Sequence, residues 1–174
     1  MKTSVLEKVE RIEKERNDLL EKLSAFDDEY LNMKPRPGKW SVLQILNHLI
    51  KSEKLSVIYI KRKISGQSEI KQSSIKSKIN AFILRTGLRL PIKLKAPDNV
   101  SDVPDYDTLE NVKQNWDKVR RLFLSVIIDM PDGMLDKDVF KHPVTGKMNI
   151  KGAVDFFDSH FKHHLKQVYS IINK

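Results

Sequence analysis

The chain has 174 residues, of which 40% are apolar and 32% are charged. These values are typical of a globular protein with its own hydrophobic core, and we expect a single domain over residues 1–174. The chain contains no cysteine, which excludes disulfides, zinc–thiolate sites and a cysteine nucleophile. Its apolar runs fall far short of the ~20 residues that span a bilayer, and its start lacks an apolar signal-peptide core. We therefore expect no transmembrane segment and a cytoplasmic location.

The net charge of +9 is concentrated in one part of the chain. Residues 61–95 contain ten Lys or Arg and a single acidic residue, Glu69, so the remaining residues are neutral as a group. Such a basic insert could attract an anionic substrate, an acidic membrane or nucleic acid, or it could be a solvated lid or a dimer contact. Phe82 is its one aromatic residue, too few to stack single-stranded bases. We expect no specific nucleic-acid partner.

The first half of the chain contains two helical patterns. Apolar residues at spacings of three and four predict a helix from about Thr3 to Phe26. Residues 27–40, with two prolines and a glycine, then break the pattern. A second helix is predicted from Ser41 to about Ile64. Ser41 followed by Gln44 is typical of a capping box, in which each side chain bonds the other residue's backbone N–H.

The second half adds two more helices, separated from the first pair by a long connection. Residues 65–104 form this insert, and within it Ile75–Leu90 has the pattern of a short basic amphipathic helix. Further helices are predicted from about Tyr106 to Asp129 and from about Asn149 to Ile172. An ordered turn is expected just before the last helix, over residues 142–147. With no strand pattern visible, the sequence predicts an all-α fold, a four-helix bundle with the basic insert between helices two and three.

Three histidines are candidate metal ligands. His160 and His164 lie one turn apart on the side of the apolar stripe of the last helix, whereas His163 points away and is expected at the surface. His48 lies on the flank of the core face of the second helix, where it could reach a neighbouring helix. Buried imidazoles need partners, which could be hydrogen bonds or a metal ion. Three neutral imidazoles suit Zn, Ni, Cu or Fe, and would leave an open coordination position.

The residues around these histidines resemble a known family. A first block, residues 40–49, has a Trp-Ser helix start with His48 seven residues after the serine and an acidic residue five further on. A second block has His-Pro-Val-Thr-Gly at 142–146 and His-Phe-Lys-His-His-Leu-Lys-Gln at 160–167. Both blocks are similar to those of the DinB-like, or DinB/YfiT, superfamily of metalloenzymes. Phe161 departs from the resemblance, since many members have Glu between the two histidine ligands.

The resemblance implies a four-helix bundle in which His48, His160 and His164 hold a divalent metal, for which we expect zinc or nickel. It also implies an enzyme acting on a small molecule, either as a metal-dependent hydrolase or as a thiol-dependent transferase. Low-molecular-weight thiols such as bacillithiol or mycothiol are candidate substrates. The catalytic residues are not identified by the sequence, and a homodimer remains an open alternative.

Several nearby residues are candidates for supporting roles. Gln44 and Gln167 could orient an imidazole, or could instead cap the helix and lie on a solvated flank respectively. Glu53 could act as a general base or support a ligand, although a surface carboxylate is the favoured interpretation. Trp40 could lie near the metal, with packing of the loop onto the core favoured. His142 could be a fourth ligand, with stabilisation of its turn favoured.

Two alternatives to an enzyme are consistent with the sequence. In the first, the protein is a non-catalytic binding or stress-response module whose basic insert docks an anionic partner. In the second, a bound metal regulates the conformation of the insert. These alternatives depend on the insert over residues 65–104, whereas the enzyme hypothesis depends on the three histidines.

Overall fold

The computed structural model of the protein describes residues 2–66, 70–74, 79, 98–143 and 145–173, and this part of the chain is mostly helical. The α-helices named here are, in chain order, α1 (Lys2–Leu23), α2 (Asp28–Asn32), α3 (Val42–Ser65), α4 (Asp98–Ser101), α5 (Leu109–Asp129) and α6 (Ile150–Ile172). A single 3-10 turn follows α5 at Asp132–Met134. The four predicted long helices correspond to α1, α3, α5 and α6.

Side-chain caps explain where three of the long helices begin. The Ser41 hydroxyl accepts from the Gln44 N–H, and the Gln44 side-chain oxygen accepts from the Ser41 N–H, each at 3.2 Å, so the predicted capping box is confirmed. Thr108 caps α5, which therefore begins three residues later than Tyr106, the predicted start. Asn149 caps α6 by accepting from the Gly152 N–H at 3.0 Å. Each cap satisfies an N–H that the helix leaves unpaired.

Two short elements differ from the sequence expectation. Strands β1 (Phe140–His142) and β2 (Gly146–Met148) form an antiparallel hairpin where a turn without strands was expected. Three-residue strands are too short to show an alternating pattern, although Gly146, with φ of 89°, supplies the backbone conformation that the turn requires. Helix α2 lies within residues 27–40, where the sequence predicted only a break.

The four long helices contact one another in a closed ring in the order α1, α5, α3, α6. Their buried apolar residues form two clusters, and every long helix contributes to both. One cluster packs against the hairpin and contains Phe123 and Phe157. The other lies toward the start of α3 and contains Leu46, Trp116 and Phe161. The region between these two clusters therefore has helices on all sides.

Most of the basic insert lies outside the described residues, including the predicted helix Ile75–Leu90 apart from residue 79. One described part of it, residues 70–74, pairs with the chain just before the hairpin: the Ser73 N–H donates to the Asp136 carbonyl at 2.8 Å, and the Asp138 N–H donates to the Lys71 carbonyl at 3.0 Å. Another described part contains α4. Among the described helices, none is long and apolar enough to cross a membrane.

Candidate metal centre

The three histidines singled out in the sequence lie together between α3 and α6. The Nε2 atom of His160 lies 3.2 Å from Nε2 of His48 and 3.1 Å from Nε2 of His164. One ring nitrogen from each residue falls within 4.8 Å of the others, and this group could hold a metal ion. All three side chains are buried, with exposed fractions of 3–8%. The two histidines one turn apart on α6 and the histidine on the flank of α3 thus come together in the folded chain.

The outer nitrogens of two of these rings are held by oxygen atoms. His48 Nδ1 lies 2.9 Å from the Val100 carbonyl oxygen, which can only accept, so this nitrogen carries the proton. His164 Nδ1 lies 2.9 Å from the Gln167 side-chain oxygen and donates to it. In a neutral imidazole only one nitrogen is protonated. Both rings therefore direct an Nε2 lone pair toward His160.

This donor set fits a metal ion. The Nε2 atom of His160 can carry one proton at most, so it could donate to one of the two facing lone pairs but not to both. A cation shared by the three nitrogens would satisfy them all. The separations of His160 Nε2 from the other two nitrogens, 3.2 and 3.1 Å, are short enough for both nitrogens of each pair to bind one ion through bonds of about 2.0–2.1 Å.

Burial keeps the imidazoles in the neutral form that binds metals. Removal from water lowers the pKa of His48, partly opposed by the hydrogen bond to Val100. Burial, with the adjacent His164 and His48 rings, lowers the pKa of His160 well below its usual value. Burial and the neighbouring His48 ring lower the pKa of His164 to about 3. The three rings are thus neutral at pH 7 without competition from protons.

Aromatic rings restrict the orientation of two of the imidazoles. The Trp40 ring lies against His48 with centroids 5.0 Å apart, and the Phe156 ring stacks on His160 at 5.2 Å and 14°. Trp40 also packs against the core cluster near the start of α3, so it both staples its loop and contacts a histidine of the group. These contacts limit rotation of each ring about its Cβ–Cγ bond.

His163 and His142 lie outside the group of three. His163 is half-buried on α6, with its Nε2 3.3 Å from the Gln167 side-chain nitrogen. His142 packs against Phe156 with centroids 4.8 Å apart and accepts from the Thr145 N–H at 3.4 Å, consistent with stabilisation of the turn. Burial lowers the pKa of His142 to about 4.

The three candidate supporting residues have different partners. Gln167 bonds a ring of the group, as described above. Gln44 completes the capping box, and its nitrogen donates to the Asp105 carboxylate at 3.3 Å and to the Pro104 carbonyl at 3.4 Å. Glu53 accepts from the Trp116 indole at 2.9 Å and from Arg120 at 2.8 Å. Of the three, only Gln167 forms a hydrogen bond with an imidazole of the group among the described residues.

The favoured interpretation of Glu53 as a surface carboxylate was wrong, because Glu53 is only 2% exposed. It belongs to a buried ionic network that joins α1, α3 and α5. Arg120 bridges Glu53 to Glu13, at N–O distances of 2.8 and 3.7 Å, and Arg16 contacts Glu13 at 2.5 Å and Asp117 at 2.6 Å. This set of residues is called the ionic network below. A single carboxylate in a helical pattern does not reveal a partner on another helix.

Phe161, where the family resemblance would place Glu, is fully buried. Its ring packs edge-on against Trp116 with centroids 6.0 Å apart. The side chain therefore fills the core beside the histidine group, and this chain has an apolar residue where many members of the family have an acid.

A cavity of about 320 Å³ opens beside Trp40. The loop between α2 and α3 forms one wall, and α4 with the segment that follows it forms the other. Its polar and aromatic lining residues are Lys34, Lys39, Trp40, Gln44, Ser101 and Asp105. Because Trp40 contacts His48, this cavity adjoins the three-histidine group.

Sequence reasoning missed two residues that position the imidazoles. Val100 acts through its backbone carbonyl, which every residue possesses, so nothing in the sequence marks it. Phe156 lies four residues before His160 on the same helix face, and this spacing was the available signal. Both residues hold a ring without being metal ligands themselves.

The chain is similar to a known family and to several named bacterial proteins. Residues 11–168 match the model of the DinB superfamily. "Uncharacterized protein YuaE" of Bacillus subtilis (strain 168) is 28% identical over 152 residues, which cover 87% of this chain and 89% of the relative. Proteins named "Putative metal-dependent hydrolase" from Bacillus cereus (strain 03BB102) and Bacillus anthracis (strain A0248) are each 24% identical over 163 residues, covering 94% of this chain and 82% of each relative.

Proposed function

The chain belongs to the DinB superfamily, and from this premise we propose that it is a metal-dependent enzyme acting on a small molecule. His48, His160 and His164 are the proposed ligands of a divalent metal, with zinc or nickel as the expected ion. The observation that carries the proposal is the convergence of three imidazole nitrogens within 4.8 Å of one another, with the Nε2 lone pairs of His48 and His164 directed at His160 Nε2 from 3.2 and 3.1 Å.

The chain's own residues would hold these ligands in the binding form. The Val100 carbonyl and the Gln167 side chain keep the outer nitrogens of His48 and His164 protonated, which leaves their inner nitrogens free to bind. Trp40 and Phe156 fix two ring planes and keep bulk water away from them. An ion with three protein ligands keeps an open position, where it lowers the pKa of a water or a thiol or polarises a substrate oxygen.

Hydrolysis and thiol-dependent transfer are the two reactions that we propose for this site. The relatives named "Putative metal-dependent hydrolase" support the first. The family resemblance supports the second, with a low-molecular-weight thiol as substrate. In the transfer reaction, the thiol sulfur would form a bond to the electrophilic carbon of the second substrate, while the leaving group departs with the electron pair of the broken bond and the thiol proton passes to solvent.

We also propose that residues 1–174 form one domain with α1, α3, α5 and α6 as a four-helix bundle. The support is that these helices contact in a closed ring and that each contributes to both apolar clusters. The cytoplasmic location, the homodimer and the role of the basic insert stay predictions from the sequence.

Metal analysis of the purified full chain tests the proposal. After reconstitution with zinc or nickel and removal of free ion, we expect about one metal per chain in the wild type. The His160→Ala variant should hold less than a tenth of that amount, because it removes the central nitrogen of the group. His163→Ala is the matched control on the same helix and should retain at least half of the wild-type occupancy.

Equal occupancy in His160→Ala and His163→Ala would overturn the metal site. If the metal binds as expected, activity separates the two reactions: the loaded protein is assayed with nitrophenyl esters for hydrolysis, and with an aryl chloride plus cysteine for thiol transfer with release of chloride. His160→Ala should abolish whichever activity is found. Activity in neither assay, across a panel of such substrates, would favour the non-catalytic alternative.

A further inference from the structure

The cavity beside Trp40 carries more positive than negative charge. Its charged lining side chains are Lys34, Lys39 and Asp105, which leaves one positive charge in excess. Lys34 lies 3.3 Å from the Asp105 carboxylate, but 48% and 91% of these two side chains are exposed. An ion pair this exposed to water is weak and exchanges partners at little cost. The two lysines are therefore available to an anion that enters the cavity.

Local structure holds the backbone of Lys39 and Trp40 in place. Residues 36–39 form a turn in which the Lys39 N–H donates to the Arg36 carbonyl at 3.1 Å. Pro37 and Gly38 occupy the central positions of this turn. Gly38 has φ of 72°, as the third residue of a type II turn requires. The chain then enters the capping box of α3, so Lys39 and Trp40 lie between two ordered motifs. The start of α3 also adds a positive partial charge on this side.

The cavity adjoins the three-histidine group through three separate elements. Trp40 contacts the His48 ring, Gln44 lies one turn before His48 on α3, and Ser101 follows the residue whose carbonyl bonds His48. The histidines themselves do not line the cavity, so a molecule with one end there would approach His48 past the Trp40 and Gln44 side chains. The walls include an indole face and amide, hydroxyl and ammonium groups, which suits a small polar ligand better than a hydrocarbon.

We propose that this cavity binds an anionic group, such as a carboxylate, of the small-molecule substrate, with Lys34 and Lys39 as its charge partners. The proposal rests on the proposed function, because it takes the histidine group as the place where the other end of the substrate reacts. According to this proposal, the protein selects its substrate by the negative charge at the end that enters the cavity. Lys34 and Lys39 are binding residues in this proposal and take no part in the reaction itself.

Nuclear magnetic resonance of the full chain, labelled with ¹⁵N, offers a direct readout. The two indole N–H signals belong to Trp40, which lines the cavity, and to Trp116, which is fully buried against Glu53 and provides an internal reference. The zinc-loaded protein is titrated with 3-mercaptopropionate and with 3-mercapto-1-propanol, which differ at the end opposite the thiol. We expect both to move the Trp40 signal, the carboxylate with about fivefold tighter binding at low salt.

The charge partners are tested by the variant Lys34→Gln with Lys39→Gln. It should bind the two thiols with affinities within twofold of each other. Lys113→Gln, which removes a lysine on α5 that lines a separate groove, is the matched control and should retain the wild-type preference. The proposal is overturned if the Trp40 signal moves with neither thiol, if the wild type binds both equally, or if the double variant keeps the preference.

A metal-free titration separates this proposal from the proposed function. Butyrate and 1-butanol carry the same difference in charge without a thiol, and the lysines do not depend on the metal. Preference for butyrate in a chain that fails to bind zinc would support the anion site and contradict the metal centre. Zinc binding without any preference for the carboxylate ligands would contradict the anion site alone.

Discussion

Two buried polar clusters, the ionic network and the histidine group, lie among the same long helices. They differ in how their polar groups are satisfied. The ionic network pairs each guanidinium with carboxylates: Arg120 with Glu53, and Arg16 with Glu13 and Asp117. In the histidine group, three neutral rings direct nitrogens at one another, and no carboxylate balances them among the residues that bond them. In the first cluster both guanidinium groups are ion-paired with carboxylates of the chain, although Arg16 Nε and Arg120 Nε have no hydrogen-bond partner among the described residues. In the second cluster, one shared cation would satisfy the three facing nitrogens. Lone pairs that converge without a donor for each of them, rather than burial or polarity alone, are the feature that supports a binding site here.

The largest loss of stability is expected from disruption of the ionic network. Glu53→Ala leaves Arg120 buried with only the more distant carboxylate of Glu13, and removal of one partner from a buried pair costs about 3–5 kcal/mol. Urea unfolding measures this loss. Metal occupancy of the folded variant should stay at the wild-type value, because Glu53 bonds Trp116 and Arg120 rather than a histidine.

Glu110→Ala, an exposed carboxylate on α5, is the control for Glu53→Ala and should change stability by less than about 0.5 kcal/mol. A Glu53→Ala variant that lost its metal while keeping its stability would place Glu53 in the metal centre. The separation of the ionic network from the histidine group would then be contradicted.

Metal binding to the histidine group should stabilise the fold. A metal that binds only the folded chain adds about 2.7 kcal/mol when its free concentration is a hundred times its dissociation constant. We expect this increase in the free energy of unfolding for the wild type on addition of zinc, and none for His160→Ala. Zinc that stabilised both proteins equally would be acting somewhere other than at the three histidines.

A smaller effect is expected from the side chain that orients one ligand. Gln167→Ala removes the acceptor that holds the His164 ring, and loss of such a partner weakens metal binding about tenfold or more. Competition with a chelating dye measures the affinity. Gln114→Ala, on the exposed surface of α5, is the control and should leave the metal affinity unchanged. An equal loss of affinity in both variants would contradict the role of Gln167 in orienting the His164 ring.

The smallest effect is on the acid sensitivity of the metal-free protein. The pKa of His164 is lowered to about 3 in the folded chain, against about 6.5 when unfolded. Below pH 6.5 the unfolded chain therefore binds more protons, so stability is fully present above pH 6.5 and declines as the pH falls toward 3. His164→Asn should reduce the slope of stability against pH between 6 and 5 by about 1 kcal/mol per unit.

Urea unfolding of the metal-free protein at pH 7, 6 and 5 measures that slope. His163→Asn removes the neighbouring half-buried ring and should keep most of the wild-type slope. If the two variants had the same slope, the burial of His164 would not contribute to the acid sensitivity, and the neutral state of the group would need another explanation.

The parts of this molecule that were predictable from sequence depend on local patterns. Spacings of three and four located the long helices, and the Ser41 and Gln44 pair located the start of α3. The same spacing separated His160 and His164 from His163, because a helix fixes the relative directions of residues within one element. The family resemblance then grouped His48 with them, which local periodicity alone could not do.

The remaining features depend on contacts between distant parts of the chain. Glu53 is buried because Arg120 and Trp116, more than sixty residues away, meet it. The bond from Val100 to His48 uses a backbone carbonyl and leaves no trace in residue type. The hairpin strands are too short for a period to emerge. For Glu53 and His48 the deciding partner lies outside any window in which a sequence pattern can be recognised.

The bond between Val100 and His48 makes α4 a boundary for protein engineering. Residues 70–74 pair with the chain before the hairpin, so an exchange of the insert should begin after Ser74. A change in the length of a connection alters its closure entropy only logarithmically. The four residues of α4 have no such freedom, because they present the carbonyl that sets which nitrogen of His48 is protonated. A chimera that grafts a foreign insert should therefore join the chain before α4, so that the histidine keeps its tautomer.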